Sequence, residues 1–270
     1  MKRHLLTTPL WLTLGVLLMA AVFAPFSFTP QQALATQSAP PAAMSSLYLL
    51  RVTHVKPEMA QEYRAFMQNE SIPAYRKGGV KLRNTLTTAI FGEALEYVTI
   101  EPIESLKQFD EPDPLYKALG EDGYRAWTAK WVRMIAGSHA CVVQLRPDLS
   151  VNLPKPGTPH AKFGYNNVIT IAPGRTAEYE SYVKNDLLPI MQKSYPQGVL
   201  VSKVLLGGNG NEYRVLIPVD SFADLERGLL ATAQEGFAKA QQKSAGIVLH
   251  AENSIFRYVP ELSISPSAPK

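Results

Sequence analysis

The sequence contains a single cysteine, Cys141, in 270 residues. An intramolecular disulfide is therefore excluded, and with it every small disulfide-stapled scaffold and any paired-cysteine zinc site. Cys141 lies in the apolar run Ala140-Cys141-Val142-Val143, where a small buried hydrophobe is its expected role. Also missing are a Gly-x-Gly-x-x-Gly after a strand, a phosphate-loop pattern, Gly-x-Ser-x-Gly and His-Glu-x-x-His. Their absence removes the common routes to nucleotide-dependent, serine-hydrolase and zinc-dependent chemistry, and no metal-ligand set is expected. The chain lacks a strong excess of either charge, with a formal net charge of +4. Lys2 and Arg3 are the only charged residues among the first 35, so without them the charge falls to +2. No basic stripe remains to argue for a nucleic-acid partner.

Long apolar runs are confined to the beginning. Lys2, Arg3 and His4 precede an apolar stretch from Leu5 to Ala24 and a small-residue site at Ala33-Leu34-Ala35. Residues 1–35 thus read as an export signal, which implies a periplasmic or secreted protein with no stable membrane association after cleavage. The alternative is an uncleaved N-terminal membrane anchor, because the run approaches the ~20 residues that span a bilayer. Residues 36–45, rich in Ala, Pro, Ser and Gln, form a disordered spacer, and residues 264–270 a disordered tail.

What the rest of the chain has is repetition. Twelve residues recur at a spacing of 116, among them Pro57/Pro173, Glu62/Glu178, Tyr63/Tyr179, Pro73/Pro189, Gly92/Gly208, Glu96/Glu212, Tyr97/Tyr213 and Ser105/Ser221. Towards the end the spacing falls to 113, where Pro147, Leu149 and Ser150 answer Pro260, Leu262 and Ser263. The three extra residues are placed within Glu111-Pro112-Asp113-Pro114.

Each copy reads as strand, helix, two strands, helix, strand. In the first copy, Leu47 to Val55 is an apolar, β-branched run. From Pro57 the period changes to that of a helix, with proline at its first position, where no amide donor is needed. Pro73 and Pro189 are expected to interrupt or kink this helix at equivalent points. Leu82 to Ile90 and Leu95 to Glu101 follow as strands, then a helical region from Ser105 and a last strand from Ala140 to Leu145. The second copy repeats this order, with Gly207 to Gly210 as a hairpin turn and Asp220 or Ser221 as a helix cap. The predicted class is α+β: two tandem ferredoxin-like βαββαβ units, residues 46–150 and 163–263, joined by a Pro-rich linker at 151–162. A sheet of this kind covers one face with its helices, and the other face must be buried on the second copy, giving a single-chain α/β barrel.

Tyr48-Leu49-Leu50-Arg51-Val52 before Lys56-Pro57, and Val168 to Ile171 before Pro173-Gly174-Arg175, resemble the opening strand and helix start of the dimeric α/β-barrel superfamily. The likeness is to its NIPSNAP-like branch and to the antibiotic-biosynthesis-type monooxygenases. In most such families two chains pair to form the barrel, so the resemblance implies a fused pair that is a monomer or weak homo-oligomer. It also implies a range of activities, from cofactor-free oxygenases to haem-binding or haem-degrading proteins and proteins without a known reaction. The haem-degrading members use an asparagine on the first strand; this chain has Thr53 or His54 there.

The candidate ligand-binding residues are Tyr124, Trp127, Trp131 and Arg133 on the second helix of the first copy, with His139 expected where that helix gives way to the last strand. The aromatics recur at i, i+3 and i+7 and share a helix face. This row could cradle a planar ligand beside His139 as base or axial ligand, or could simply cover the sheet. At a spacing of 113, Trp127, Trp131, Arg133 and His139 become Ala240, Ser244, Gly246 and Glu252, so the group belongs to one copy. His54 at a strand end is the second candidate catalytic residue. The repeated Glu-Tyr pairs read as scaffold, with Tyr at the core edge and Glu in water. The expectation is an exported protein that binds a small apolar or aromatic ligand and needs no cofactor. A monooxygenase-like or haem-binding enzyme, and a structural or interaction module, are the alternatives.

Overall fold

The computed structural model describes residues 46–153 and 160–265. The expected export signal and spacer, half of the Pro-rich linker and the end of the tail lie outside the described residues. Eight antiparallel strands close into one barrel in the order β1-β3-β2-β8-β5-β7-β6-β4. They are β1 (Leu47–Val55), β2 (Asn84–Thr88), β3 (Glu96–Ile103), β4 (Ile135–Leu145), β5 (Phe163–Ile171), β6 (Leu200–Leu206), β7 (Glu212–Val219) and β8 (Val248–Tyr258). The two halves are joined by ladders along both seams, β2 with β8 and β4 with β6, so no sheet edge is left open. This is closer than the face-to-face packing expected of two sheets, because the seams are hydrogen-bonded as well.

Helices cover the outside. In the first half, α1 (Ala60–Phe66) runs through a π-helical turn, Met67–Ser71, into α2 (Ile72–Lys77), and α3 spans Pro114–Met134. In the second, α4 (Thr176–Tyr182) continues through Val183–Leu187 into α5 (Leu188–Ser194), followed by α6 (Phe222–Gln234) and α7 (Phe237–Gln242). Pro73 and Pro189 do not break the helix. The residue before each, Ile72 and Leu188, donates to the carbonyl five residues back, Met67 and Val183. The wider π turn carries the chain past the prolines, which have no N–H to give. Asp113 caps α3 through Leu115 N–H at 2.7 Å, and Ser221 caps α6 through Asp224 N–H at 3.1 Å. Gly207 turns the β6–β7 hairpin at φ 75°, where a Cβ would sit 2.5 Å from the Ala140 carbonyl oxygen.

The spaces between helices and sheet are filled by the repeated tyrosines. Tyr63 and Tyr97 meet at 5.0 Å in the first half, and Tyr179 and Tyr213 at 4.7 Å in the second. All four are buried, as the scaffold reading required.

Each core is completed by the other half. Leu149, at the end of the first half, packs into the core built on Tyr179, Tyr213 and Leu225, whereas Val259 and Leu262 pack with Tyr63, Phe66 and Tyr97. The polar contacts follow the same exchange. Thr85 Oγ1 donates to Leu262 O and its N–H to Ser263 Oγ; Val201 N–H donates to Ser150 Oγ at 2.9 Å. Arg64 pairs with Glu261, and Arg146 pairs with Glu180. The recurrence of Pro147, Leu149 and Ser150 as Pro260, Leu262 and Ser263 is thus explained by two equivalent plugs.

Candidate functional site

Strand alternation and register define the inner face of the barrel. Leu50 faces inward with its partners Ile100 on β3 and Cys141 on β4, and these three share a cluster with Tyr48, Val143 and Val204. On the same face lie His54 and Glu96, directly opposite each other, then Val52 with His139, and in the second half Val168 with Arg214 and Thr170 with Glu212. Tyr97, Tyr213 and the helices are on the other face.

Val52, Ile100, Asn166, Val168 and Leu216 on this face are only partly buried, whereas Leu50, Val98, Cys141 and Val143 are buried. An eight-stranded barrel is just wide enough for side chains to fill it or for one small ligand. Several polar atoms here are buried without a hydrogen-bond partner: Asn84 Oδ1, Thr88 Oγ1, Arg214 Nε and Glu212 Oε1. Glu212 Oε1 lies 2.8 Å from an Arg214 terminal nitrogen, an ion-pair distance without hydrogen-bond alignment. Buried polar atoms are normally satisfied, so these mark places where a ligand or water completes the set.

At the end of β1 the sheet brings three ligating groups together. His54 Nδ1 is 3.2 Å from Glu93 Oε2 and 3.8 Å from Glu96 Oε2. A register shift between His54 and Val55 marks a bulge at this point, of the sort that re-aims a side chain. Burial pushes the Glu96 carboxyl above its ordinary value; His54 and Arg214 oppose that rise, and Glu93 adds to it. Burial likewise raises the Cys141 thiol, which faces the barrel interior as an inert hydrophobe.

The predicted aromatic row forms, but its place differs from a ligand cradle. Tyr124, Trp127 and Trp131 stack in sequence, at 6.4 and 5.9 Å between centroids, and Trp127 also meets Phe66 at 5.7 Å. Trp127 Nε1 donates to Ser71 Oγ at 2.9 Å, which ties α3 to the π turn. Arg133 pairs with Glu62 of α1, and its carbonyl accepts from Lys56 Nζ at 2.8 Å. His139 is not at the helix end. Strand β4 begins at Ile135, directly after α3, so His139 is inside the strand, opposite Val52 and exposed. The sheet separates it from the aromatic row. Of the predicted residues, the structure therefore joins Tyr124, Trp127 and Trp131 to each other, Arg133 to Glu62, and His54 to Glu93 and Glu96, and it does not join His139 to the tryptophans.

Sequence reading missed Glu93, Glu96, Glu212 and Arg214 as site residues. Glu96 and Glu212 were expected in water; alternation along β3 and β7 turns them inward because Tyr97 and Tyr213 take the helix side. The pairing of β1 with β3 puts His54 opposite Glu96, and that signal could have been read once the strand order was inferred. An open groove of about 560 Å³ is lined by His160, Lys162, Phe163, Arg257 and Tyr258.

No family model matches the chain, and no curated protein matches it. Solved structures do. A candidate monooxygenase from Lactobacillus acidophilus NCFM matches with TM-score 0.52 at 9% identity, over 83% of this chain and 97% of that one. An anthrone oxidase-like protein matches with TM-score 0.52 at 10% identity, over 83% and 94%. A mutant chlorite dismutase from Candidatus Nitrospira defluvii, in complex with cyanide, matches with TM-score 0.51 at 10% identity, over 82% and 93%. This chain shares its eight-stranded α/β-barrel fold with these proteins. At such identities the barrel is what these proteins share with this chain.

Proposed function

We propose that the protein is an exported, single-chain α/β barrel that binds a small apolar or aromatic molecule inside the barrel. The observation that carries this reading is the partly buried inner face, on which Asn84 Oδ1, Thr88 Oγ1 and Arg214 Nε are buried without a hydrogen-bond partner beside the Arg214–Glu212 ion pair. Apolar walls at Leu50, Ile100, Val168 and Leu216 would hold the body of the ligand, and Arg214 would hold an acidic or strongly accepting group on it. The export signal at residues 1–35 supports a periplasmic or secreted site of action. The residues repeated at 116 and the exchanged plugs support a tandem, NIPSNAP-like pair of ferredoxin-like units fused into one chain.

The test uses the chain from residue 36 onward, titrated with aromatic carboxylic acids and hydroxylated polycyclic aromatics, with thermal shift as readout. The expected result is stabilisation by at least one compound, reduced in Arg214→Gln and abolished in Val168→Trp, which fills the interior. No stabilisation by any compound, or equal stabilisation of Val168→Trp, would overturn the reading.

A monooxygenase-like activity is the second reading, favoured by His54 against Glu96 on the inner face, where an imidazole could take a proton from an acidic substrate. Oxygen uptake with the same compounds, lost in His54→Ala, would carry it. The haem arrangement built on His139 and the tryptophans does not fit. Tyr63, Phe66, Tyr97 and Trp127 fill the space between helices and sheet, and His139 is on the opposite face.

A further inference from the structure

The two halves treat their equivalent inner-face glutamates differently. In the second half Glu212 has its own cation, because Arg214 lies two residues along the same strand at 2.8 Å. The position equivalent to Arg214 in the first half is Val98, so Glu96 has no cation on its own strand. Instead the first half has His54 where the second has Thr170, and Glu93 where the second has Asn209. Loss of the guanidinium is therefore matched by gain of an imidazole and a second carboxylate around the same glutamate.

From this geometry we infer that His54, Glu93 and Glu96 bind a divalent transition-metal ion of the zinc or manganese class at the mouth of the barrel. One oxygen from each carboxylate and His54 Nδ1 lie within 4.8 Å of one another. Ligands about 2.0–2.1 Å from a tetrahedral ion stand roughly 3.3 Å apart, close to the 3.2 and 3.8 Å from the imidazole to the two carboxylates. One nitrogen and two oxygens are the donor set of such ions, and three protein ligands leave a coordination position open. Thr87 pairs with Tyr97, which places Thr88 beside Glu96 on the inner face, where its buried hydroxyl has no partner. That hydroxyl is suited to hold a water in the open position. Glu93, on the β2–β3 loop, is three-quarters exposed, so the third ligand can swing to close the set at little cost. The inference does not depend on an organic ligand in the barrel.

The experiment is calorimetric titration of chelator-treated protein with ZnCl2, and with CoCl2 followed by visible absorption. One equivalent of ion is expected to bind, with a cobalt spectrum showing the imidazole in the coordination sphere. Glu93→Gln, an exposed change that leaves the fold intact, and His54→Gln are each expected to weaken binding by at least tenfold. Glu252→Gln, which breaks the exposed His250–Glu252 contact on β8, is expected to leave binding unchanged. No binding by the wild type, or binding that survives Glu93→Gln and His54→Gln undiminished, overturns the inference.

Discussion

Leu149→Ala tests the exchange of plugs between the halves most directly. Leu149 is fully buried and packs among Tyr179, Tyr213 and Leu225, although by sequence it ends the first half. A buried Leu→Ala change costs about 2.7–5 kcal/mol from lost transfer energy and the cavity left behind. The site is ringed by tyrosines and β-sheet and cannot collapse easily, so about 3 kcal/mol or more is expected. For a chain of this size, each kcal/mol lowers Tm by about 2–4 °C, giving a fall of roughly 6–12 °C. The decisive point is where the loss is seen. In a chain from residue 36 onward the only tryptophans are Trp127 and Trp131, and both pack in the first-half core, away from Leu149. If each core is completed by the other half, tryptophan emission and far-UV circular dichroism should move together in one transition. Leu249→Ala, at an exposed strand position, is the control and should change stability by less than about 0.5 kcal/mol. A biphasic dichroism curve with an unmoved tryptophan transition would refute the reasoning, as would a Leu149→Ala loss no larger than that of Leu249→Ala.

Two further outcomes are expected. Gly228→Ala in α6 should destabilise by about 1–3 kcal/mol, because its Cβ would meet the buried Tyr195 ring at 2.2 Å, and this outweighs the helix-propensity gain of about 1 kcal/mol; a thermal midpoint at or above wild type would show the argument to be wrong. Glu180 is held below its ordinary 4.5 chiefly by hydrogen bonds from Arg146, and also by Tyr213 O–H at 2.6 Å. A carboxyl depressed by folding contributes stability above its unfolded value and loses that contribution as pH falls through the folded value. Wild type should therefore lose stability on acidification below about pH 4.5, and Glu180→Gln should be weaker at pH 7 with a flatter acid limb. Parallel urea midpoints of the two proteins from pH 7 to pH 3 would contradict this.

Strand β1 was legible to the residue, because Leu47 to Val55 is a largely apolar run with β-branched Val52, Thr53 and Val55, stopped by Lys56-Pro57. The start of β4 was not. Ile135-Ala136-Gly137-Ser138 carries no strand signal of its own, and it is extended only because β1 pairs with it from Leu47 to Val55. That tertiary override moved His139 from a helix end into a strand. The aromatic row of α3 was read correctly as one face, but its neighbours were not visible in the sequence. Phe66 and Ser71, which occupy it, are brought there by α1 and the π turn.

By itself, the sequence determined the repeat, the order of strands and helices within it, the buried tyrosines and the absence of an intramolecular disulfide. These follow from local pattern: period 2 against period 3.6, turn residues, and composition. Only the tertiary structure decided that the barrel closes by ladders on both seams, that each half's last turn seals the other's core, and that Glu96 and Glu212 turn inward. Those outcomes depend on which strands become neighbours and in what register. Register is set by the packing of the whole barrel, so residues forty or more positions apart, such as His54 and Glu96, meet only when the sheet is complete.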